Sequence, residues 1–348
     1  MSGKSVFHRP LDLKHGLVDM THGAGGRASA QLVEELFGPA FDNPWLAEGH
    51  DAACFAAERG RMVLTTDAHV VSPLFFPGGD IGCLSVHGTI NDVAMAGARP
   101  MYLAASFVIE EGFALATLER VVASMARASR AARVPVIAGD TKVVEKGKGD
   151  GLFITTTGVG VVPEGVSVSG RNARPGDHIL LSGRIGDHGM AVMTCRENLE
   201  LQSQIRSDTA ALHELVAAML QVHPGIGAMR DPTRGGLATT LNEIARQSGV
   251  GMMLQEPAIP VAPAVLAACE LLGLDPLYVA NEGKLVAIVA PGAAPAVLAA
   301  MRAHPLGAEA ADIGVVTQDA HHFVQMTTAF GGRRVVDWLS GEQLPRIC

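Results

Sequence analysis

The stretch RMVLTTD, residues 61–67, predicts a β-strand, Arg61–Thr66, that ends at an aspartate. The stretch VPVIAGDT, residues 134–141, repeats this pattern, because the strand Val134–Ala138 runs into a Gly-Asp-Thr turn. The segments around them predict two helices and two more strands: helices at Asp80–Ala96 and Leu115–Ala132, and strands at Met101–Ile109 and Leu152–Val162. This combination indicates a mixed sheet covered by helices.

A second domain is predicted beyond the segment Pro163–Gly176, which is rich in Pro, Gly, Ser and Asn. Strands and helices resume after it: strands at 178–182, 251–255 and 284–289, and helices at 210–222, 237–247 and 262–272. We therefore predict an α+β protein with an N-terminal mixed sheet and a C-terminal α/β sandwich. The expected parts are a flexible lead-in at 1–20, an N-terminal domain at 21–165, a C-terminal domain at 175–332 and a mobile tail at 336–348.

The composition excludes several classes of protein. A formal charge of -8 over 348 residues argues against nucleic-acid binding through a broad basic surface. The five cysteines form no CxxC or zinc-like spacing, which favours a reduced, cytoplasmic chain. No apolar run is long enough to span a membrane, and the N-terminus lacks the apolar segment of a secretory signal.

Aspartates recur at the ends of predicted elements, mostly beside small residues. A carboxylate in such a turn is a common ligand of a hard cation, and Mg²⁺ needs only one or two carboxylates together with water and phosphate oxygens. The ordinary alternative is that Asp is frequent in turns and helix caps. The number of such aspartates favours a metal-nucleotide site, with Mg²⁺ assigned to Asp51, Asp67, Asp92 and Asp140.

Two further segments can bind the phosphates of a nucleotide. The glycine-rich loop His22–Arg27 offers backbone N–H groups for phosphates, and the segment around Asp231 precedes a helix whose first amides can do the same. Lys142 is positioned to stabilise charge on a transferred phosphoryl group, or it is an ordinary surface lysine. Glu282 is a general base or a solvated turn residue. The predicted cofactor-binding residues are Gly25, Gly26, Asn91, Thr141 and Asp231.

Cys348 is the last residue of the sequence and follows Leu-Pro-Arg-Ile. A thiol at a chain end is free to travel, so it suits a movable carrier better than a nucleophile fixed in a site. The alternative is an incidental cysteine on a frayed end.

Eight motifs, taken together and in order, resemble the carbamoyl dehydratase (HypE) family of hydrogenase maturation factors: HGAGG, TTDAHVVSPLFFPGGDIG, GTINDVAMAGA, AGDTKVV, GDHGMAV, RDPTRGG, NEGKL and the final PRIC. The likeness covers nearly the whole chain. It extends more broadly to aminoimidazole ribonucleotide synthetase, selenophosphate synthetase and thiamine-monophosphate kinase. The resemblance implies two domains, a homodimer that pairs its N-terminal sheets, and ATP with Mg²⁺ held by the N-terminal aspartates.

The resemblance also implies a reaction. The carbamoyltransferase HypF would carbamoylate Cys348, and ATP-dependent dehydration would convert the thiocarboxamide to a thiocyanate. The cyano group would then pass to iron in the HypC–HypD complex and become a ligand of the [NiFe] hydrogenase centre. Lys142, Glu282 and Cys348 match the family's catalytic positions, whereas His50-Asp51 replaces the two adjacent acids of many relatives.

Two other functions stay open from the sequence. A diffusible acceptor, as in selenophosphate synthetase, would need a reactive residue near the N-terminus, and no cysteine precedes Cys54. A dimeric scaffold or metal carrier would use the thirteen histidines, but these are scattered rather than clustered.

Overall fold

The structure is a computed structural model that describes residues 9–50, 52–196, 205–341 and 346–348. Its N-terminal domain contains a four-stranded sheet in the order β1-β6-β4-β5, with β4 and β5 parallel and the other neighbours antiparallel. The strands of this domain are β1 (Arg61–His69), β2 (Phe75–Phe76), β3 (Gly79–Asp80), β4 (Arg99–Glu110), β5 (Val136–Val144) and β6 (Leu152–Val162). Its helices are α1 (Arg27–Leu32), α2 (Gly38–Phe41), α3 (Pro44–Ala47), α4 (Ile81–Met95) and α5 (Leu115–Ala132), with a π-helical turn at Val33–Phe37.

The inner face of the N-terminal sheet carries the core of this domain. Along β6, Leu152, Ile154 and Thr156 are buried, while Thr155 between them is exposed, as the alternation of a strand requires. Helix α4 covers the buried face and is itself packed against α5, α7 (His213–Val222) and β8 (Ala228–Arg230). Because α4 has neighbours on all sides, most of its residues are buried. The functional site lies along this helix.

The outer face of the same sheet is exposed along β1 in the single chain. Leu64 is 73% exposed and Met62 is 47% exposed, both on β1. Apolar side chains of this size on an open sheet face are a surface that another molecule usually covers.

The C-terminal domain contains a seven-stranded sheet in the order β13-β12-β9-β11-β7-β10-β8, in which only the β12–β9 pair is parallel among the described strands. The other strands are β7 (His178–Leu181), β9 (Gly251–Gln255), β10 (Val286–Val289), β11 (Ala311–Thr317), β12 (Val324–Thr327) and β13 (Arg333–Val335). The other helices are α6 (Asp187–Arg196), α8 (Gly236–Ser248), α9 (Pro263–Leu272) and α10 (Ala294–Ala303). No helix in the described ranges is both long and apolar enough to cross a membrane.

Two predicted strand ends are wrong. The sequence predicts that β1 ends at Asp67 and that β5 gives way to a turn at Asp140. Instead, β1 continues to His69 because β6 pairs with it as far as Ile154, and β5 continues to Val144 because it stays paired with β4. Both aspartates therefore lie within edge strands.

The predicted lead-in, where the structure describes it, packs against the N-terminal domain. Val18 is buried, Leu17 forms a β-bridge with Ala114, and Leu11 and Leu13 pack on the core. In the predicted tail, Val336 is bonded to β12 and residues 346–348 lie between the domains. The mobility of both segments stays a prediction.

Candidate functional site

A cavity of about 130 Å³ lies between the two domains and holds the side chain of Cys348. Strand β1, helix α4, the loop before α8 and the loop before β10 contribute its walls. The lining residues are Asp67, Ala68, His69, Gly88, Asp92, Asp231, Thr233, Arg234, Glu282 and Cys348. The structure thus brings together five of the residues that the sequence singles out, from both domains and the tail.

Gly88 lets α4 approach β1 closely at the cavity. A Cβ atom there would lie 3.0 Å from His69 Cε1 and 3.2 Å from Asp67 Oδ2. His69 Nε2 lies 3.5 Å from Asp67 Oδ2 and 3.2 Å from the Thr156 hydroxyl. Burial lowers the pKa of His69, with Asp67 opposing, so the ring is a neutral wall of the cavity.

Glu282 and Cys348 lie side by side in this cavity. Glu282 is 3% exposed, and its Oε1 has no hydrogen-bond partner among the described residues. Burial raises the pKa of Glu282 well above its usual value, and the charges of Asp231 and Asp208 add to the rise. Burial, and then Glu282, likewise raises the pKa of the Cys348 thiol. Burial therefore disfavours the charged form of both groups of this pair.

Burial also disfavours the charged form of two other carboxyl groups that line the cavity, those of Asp92 and Asp231. Thr65 Oγ1 donates to Asp92 Oδ2 at 2.9 Å, but burial still raises the pKa of Asp92. Burial and the neighbouring Asp92 raise the pKa of Asp231 to about 7, although part of the Asp231 residue remains exposed. Arg234 carries the positive charge among the described cavity residues, and it is exposed with no ion pair there.

The raised pKa of Asp231 predicts a pH-dependent stability. The unfolded chain ionises near pH 3.8 and the folded chain near about pH 7, so stability is lost as pH rises through that window. We expect Asp231→Asn to raise the melting temperature at about pH 8, by roughly 2–4 °C per kcal/mol regained, and to change it little at about pH 4. Calorimetry that finds the same shift at both pH values would contradict the assignment.

The backbone of Glu282 is fixed by two buried side chains. Asp208 accepts from the N–H groups of Glu282 at 3.1 Å and Gly283 at 3.3 Å, and pairs with Lys284 Nζ at 3.2 Å. Asn91 Nδ2 donates to the carbonyls of Ala210 and Glu282, and its Oδ1 accepts from Leu212. Asn91 therefore ties α4 to the C-terminal domain, and the nucleotide contact predicted for it stays a prediction.

A second set of predicted residues lies elsewhere. Asp140, Thr141 and Lys142 are on β5, and the 3-10 turn Met20–Gly23, which precedes Gly25 and Gly26, packs against this strand. Gly23 is needed there, because a Cβ atom would lie 2.7 Å from Val143 N. Asp140 and Thr141 border a groove of about 210 Å³ whose other walls include Phe37, Phe41 and Phe107.

The two sets are at opposite edges of one sheet. Strands β6 and β4 separate β1 from β5, which places Asp67 and Asp140 about 14 Å apart at ordinary strand spacing. Asp140 and Lys142 pair with Ser106 and Val108, whose side chains are on the outer face. The sequence pattern alone groups these residues as one site, whereas the structure separates them.

The predicted Mg²⁺ ligands are partly brought together. Asp67 and Asp92 line the cavity, Asp140 is at the other edge, and Asp51 lies outside the described residues. Within the described ranges, no three His, Cys, Asp or Glu side chains converge closely enough to hold a metal ion by themselves. Asp67 and Asp92 fit a Mg²⁺ ion that takes its other ligands from phosphate and water.

Three residues of this region escape sequence reasoning. Asp208 and Arg234 have no distinctive local pattern, although Arg234 lies in the RDPTRGG segment already singled out. The sequence favours a packing or hydrogen-bonding role for His188 and leaves a ligand role open, but it does not predict the partner. His188 is fully buried, and its Nε2 lies 2.7 Å from the Ile347 carbonyl, so it holds the tail.

Family models match both halves of the chain: AIR synthase related protein, N-terminal domain, over residues 49–162, and the C-terminal domain over 174–327. The carbamoyl dehydratase HypE of Cupriavidus necator is 70% identical over the full length of both chains. Among solved structures, the hydrogenase maturation protein HypE in complex with ATP has a TM-score of 0.91 at 49% identity, covering 95% of this chain and 99% of that one. A chain of a HypE–HypF complex has a TM-score of 0.78 at 48% identity, covering 88% and 99%. The predicted family and the two-domain fold with mixed helices and sheets are thereby confirmed, and the chain belongs to the carbamoyl dehydratase HypE family of AIR synthase related proteins.

Proposed function

We propose that this protein uses ATP to dehydrate a carbamoyl group on Cys348 to a thiocyanate, which supplies the cyanide ligand of a [NiFe] hydrogenase. The observation that carries the proposal is the position of Cys348, half-buried beside Glu282 in a cavity lined by four carboxyl groups. The names of the relatives and the ATP-bound structure support it.

The chemistry requires a poor leaving group to be activated. Transfer of the γ-phosphoryl group of ATP to the carbamoyl oxygen releases ADP and one proton, and gives S–C(OPO₃)=NH. Removal of the remaining N–H proton while the C–O bond breaks forms S–C≡N and releases phosphate. A base is therefore needed within reach of the nitrogen on the sulfur-bound carbon.

We assign that proton transfer to Glu282. Its Oε1 is free of partners among the described residues and lies in the cavity where the sulfur substituent would sit. Its backbone is fixed because Asp208 accepts from its N–H group and Asn91 donates to its carbonyl. Asp67 and Asp92 would hold Mg²⁺, which when bound would neutralise phosphate charge. Lys142 would stabilise the transferred phosphoryl group.

The proposed partners follow from the same route. HypF would load the carbamoyl group, and the solved HypE–HypF complex of a relative supports this contact. The HypC–HypD complex would accept the cyanide. The reaction would take place in the cytoplasm.

Mass spectrometry of the C-terminal peptide tests the proposed function directly. The intact protein is incubated with HypF, carbamoyl phosphate and ATP. The peptide should first gain a carbamoyl group and then lose one water in an ATP-dependent step. An unmodified peptide would overturn the proposal and leave a diffusible acceptor as the better reading.

The uncovered outer face supports a homodimer through the N-terminal sheet. We expect Leu64→Arg to dissociate it, because the charge replaces an apolar contact on both copies at a cost of about 2 kcal/mol or more. Light scattering at micromolar concentration should then give a monomer. Leu271→Arg is the matched control, since Leu271 is 62% exposed on α9 of the other domain. An unchanged mass for Leu64→Arg would contradict this interface.

A homodimer would also resolve the separation of the two residue sets. We propose that the β5 edge of one copy, with Lys142, completes the site around Glu282 of the other. Mixed dimers of Lys142→Ala and Glu282→Gln chains then contain one site with both residues intact, so they should regain about half of the wild-type rate. Each parent dimer alone should be inactive. Mixed dimers as inactive as their parents would place both residues in one chain.

A further inference from the structure

The last three residues are held by two domains, mainly through their backbone. Ser72 N donates to the Arg346 carbonyl and Val70 N donates to the Cys348 carbonyl, each at 3.2 Å, so the tail runs along the chain that leaves β1. Arg196 Nη2 donates to the Arg346 carbonyl at 2.9 Å. Because all three bonds are accepted by backbone carbonyls of the tail, they fix the direction of the bound chain and how far Cys348 enters the cavity.

His188 supplies the hydrogen bond to Ile347, the residue between Arg346 and Cys348. A carbonyl only accepts, so Nε2–H of His188 donates to Ile347 O at 2.7 Å, and Nδ1 accepts from the Ser207 hydroxyl at 2.8 Å. The ring is fully buried and packs edge-on against Phe76 at 5.4 Å. Ser207 and Phe76 therefore hold the ring in the orientation that directs Nε2 at the Ile347 carbonyl.

Two side chains of the tail add selectivity. Ile347 is 3% exposed and belongs to the same buried apolar cluster as Val192 and Ala280. The Arg346 guanidinium pairs with Asp150 at 2.5 Å at the rim. An aliphatic residue is thus required just before the cysteine, and a cation is favoured before that.

We propose that this cleft is a peptide-recognition site for a C-terminal Arg-Ile-Cys sequence, and that the protein dehydrates S-carbamoylated peptides of this kind in trans. The inference rests on the proposed function for its chemistry, but not for its binding step. All contacts just described come from residues 346–348, so a covalent link to the rest of the chain is not part of the recognition.

Binding is tested without ATP or a carbamoyl donor. The host is the full chain with Ile347→Asp and Cys348→Ser, whose own tail cannot dock, and the probe is a fluorescent peptide of residues 341–348. A tethered tail experiences a millimolar effective concentration, so a tail that docks implies an untethered affinity of about millimolar or better. Anisotropy should saturate in that range. The peptide with Ile347→Asp should bind at least about 100-fold more weakly, because a charge enters an apolar pocket.

His188→Leu in the same host should weaken the normal peptide about tenfold, because the Ile347 carbonyl loses its buried donor. His321→Leu, at an exposed histidine, is the matched control and should change nothing. Melting curves show whether each host protein is folded. The comparison of the normal and Ile347→Asp peptides uses one and the same host protein, so it does not depend on the folding of a variant. Equal binding of the normal and Ile347→Asp peptides would overturn the recognition site.

Turnover is tested with the S-carbamoyl form of the peptide, made from its thiol and cyanate. With ATP and Mg²⁺, the host should convert it to the thiocyanate with loss of one water, and His188→Leu should raise the peptide KM more than it lowers kcat. If the wild-type protein dehydrates its own tail while the peptide binds but is never converted, the trans activity is wrong and the proposed function stands. If neither is converted, the proposed function itself fails.

Discussion

Replacing Cys348 with serine is expected to abolish thiocyanate formation completely, while ATP binding and the melting temperature stay near wild type. The side chain lines the cavity and lies at the edge of the N-terminal core, only partly buried, so the smaller hydroxyl can occupy its place. Carbamoylation and dehydration both need the sulfur, which the variant lacks. Mass spectrometry of the C-terminal peptide with HypF, carbamoyl phosphate and ATP should show no adduct.

Two other cysteines provide the controls. Cys54 and Cys195 are free and exposed, so each serine variant tests whether an accessible thiol alone is sufficient. The Cys54→Ser and Cys195→Ser variants should both give the wild-type yield of thiocyanate. Carbamoyl or cyano adducts on Cys54 or Cys195, or retained product in Cys348→Ser, would show that another group carries the substrate.

Replacing Glu282 with glutamine is expected to lower the rate of dehydration by about 10²–10⁴, the usual contribution of a positioned general base. The amide keeps the size of the side chain and its contacts in the cavity but cannot accept the proton. Carbamoylated Cys348 should accumulate, because in the proposed reaction Glu282 acts only after HypF has loaded the carbamoyl group. Glu309→Gln is the control, since Glu309 makes an exposed ion pair with Arg184 on the C-terminal domain.

The pH profile separates a base from a merely structural residue. Burial raises the pKa of Glu282, so its base form increases with pH over a higher pH range than that of an ordinary glutamate. The wild-type single-turnover rate should therefore climb with pH in this range, and the climb should be absent in Glu282→Gln. A variant that is slow but keeps the wild-type pH dependence would mean that Glu282 only shapes the cavity.

The sequence by itself determined the elements whose pattern is local. Helix α5 and strands β6 and β9 have the predicted bounds, because an amphipathic stripe and a β-branched run each specify their conformation within a few turns or residues. The sequence also singled out Asp67, Asp92, Asp231, Glu282 and Cys348, whose residue types and motifs point to phosphoryl chemistry. The family followed from those same motifs.

Only the tertiary structure decided which of these residues meet. Asp67 and Asp140 sit in similar local sequences, but two strands lie between β1 and β5, and strand order depends on long-range pairing that no local pattern records. His188 and Asp208 act through contacts with Ile347 and Glu282, 159 and 74 residues away in the chain. Their roles arise only when the two domains and the tail pack together, since each is a partner in a buried hydrogen bond rather than a member of a motif.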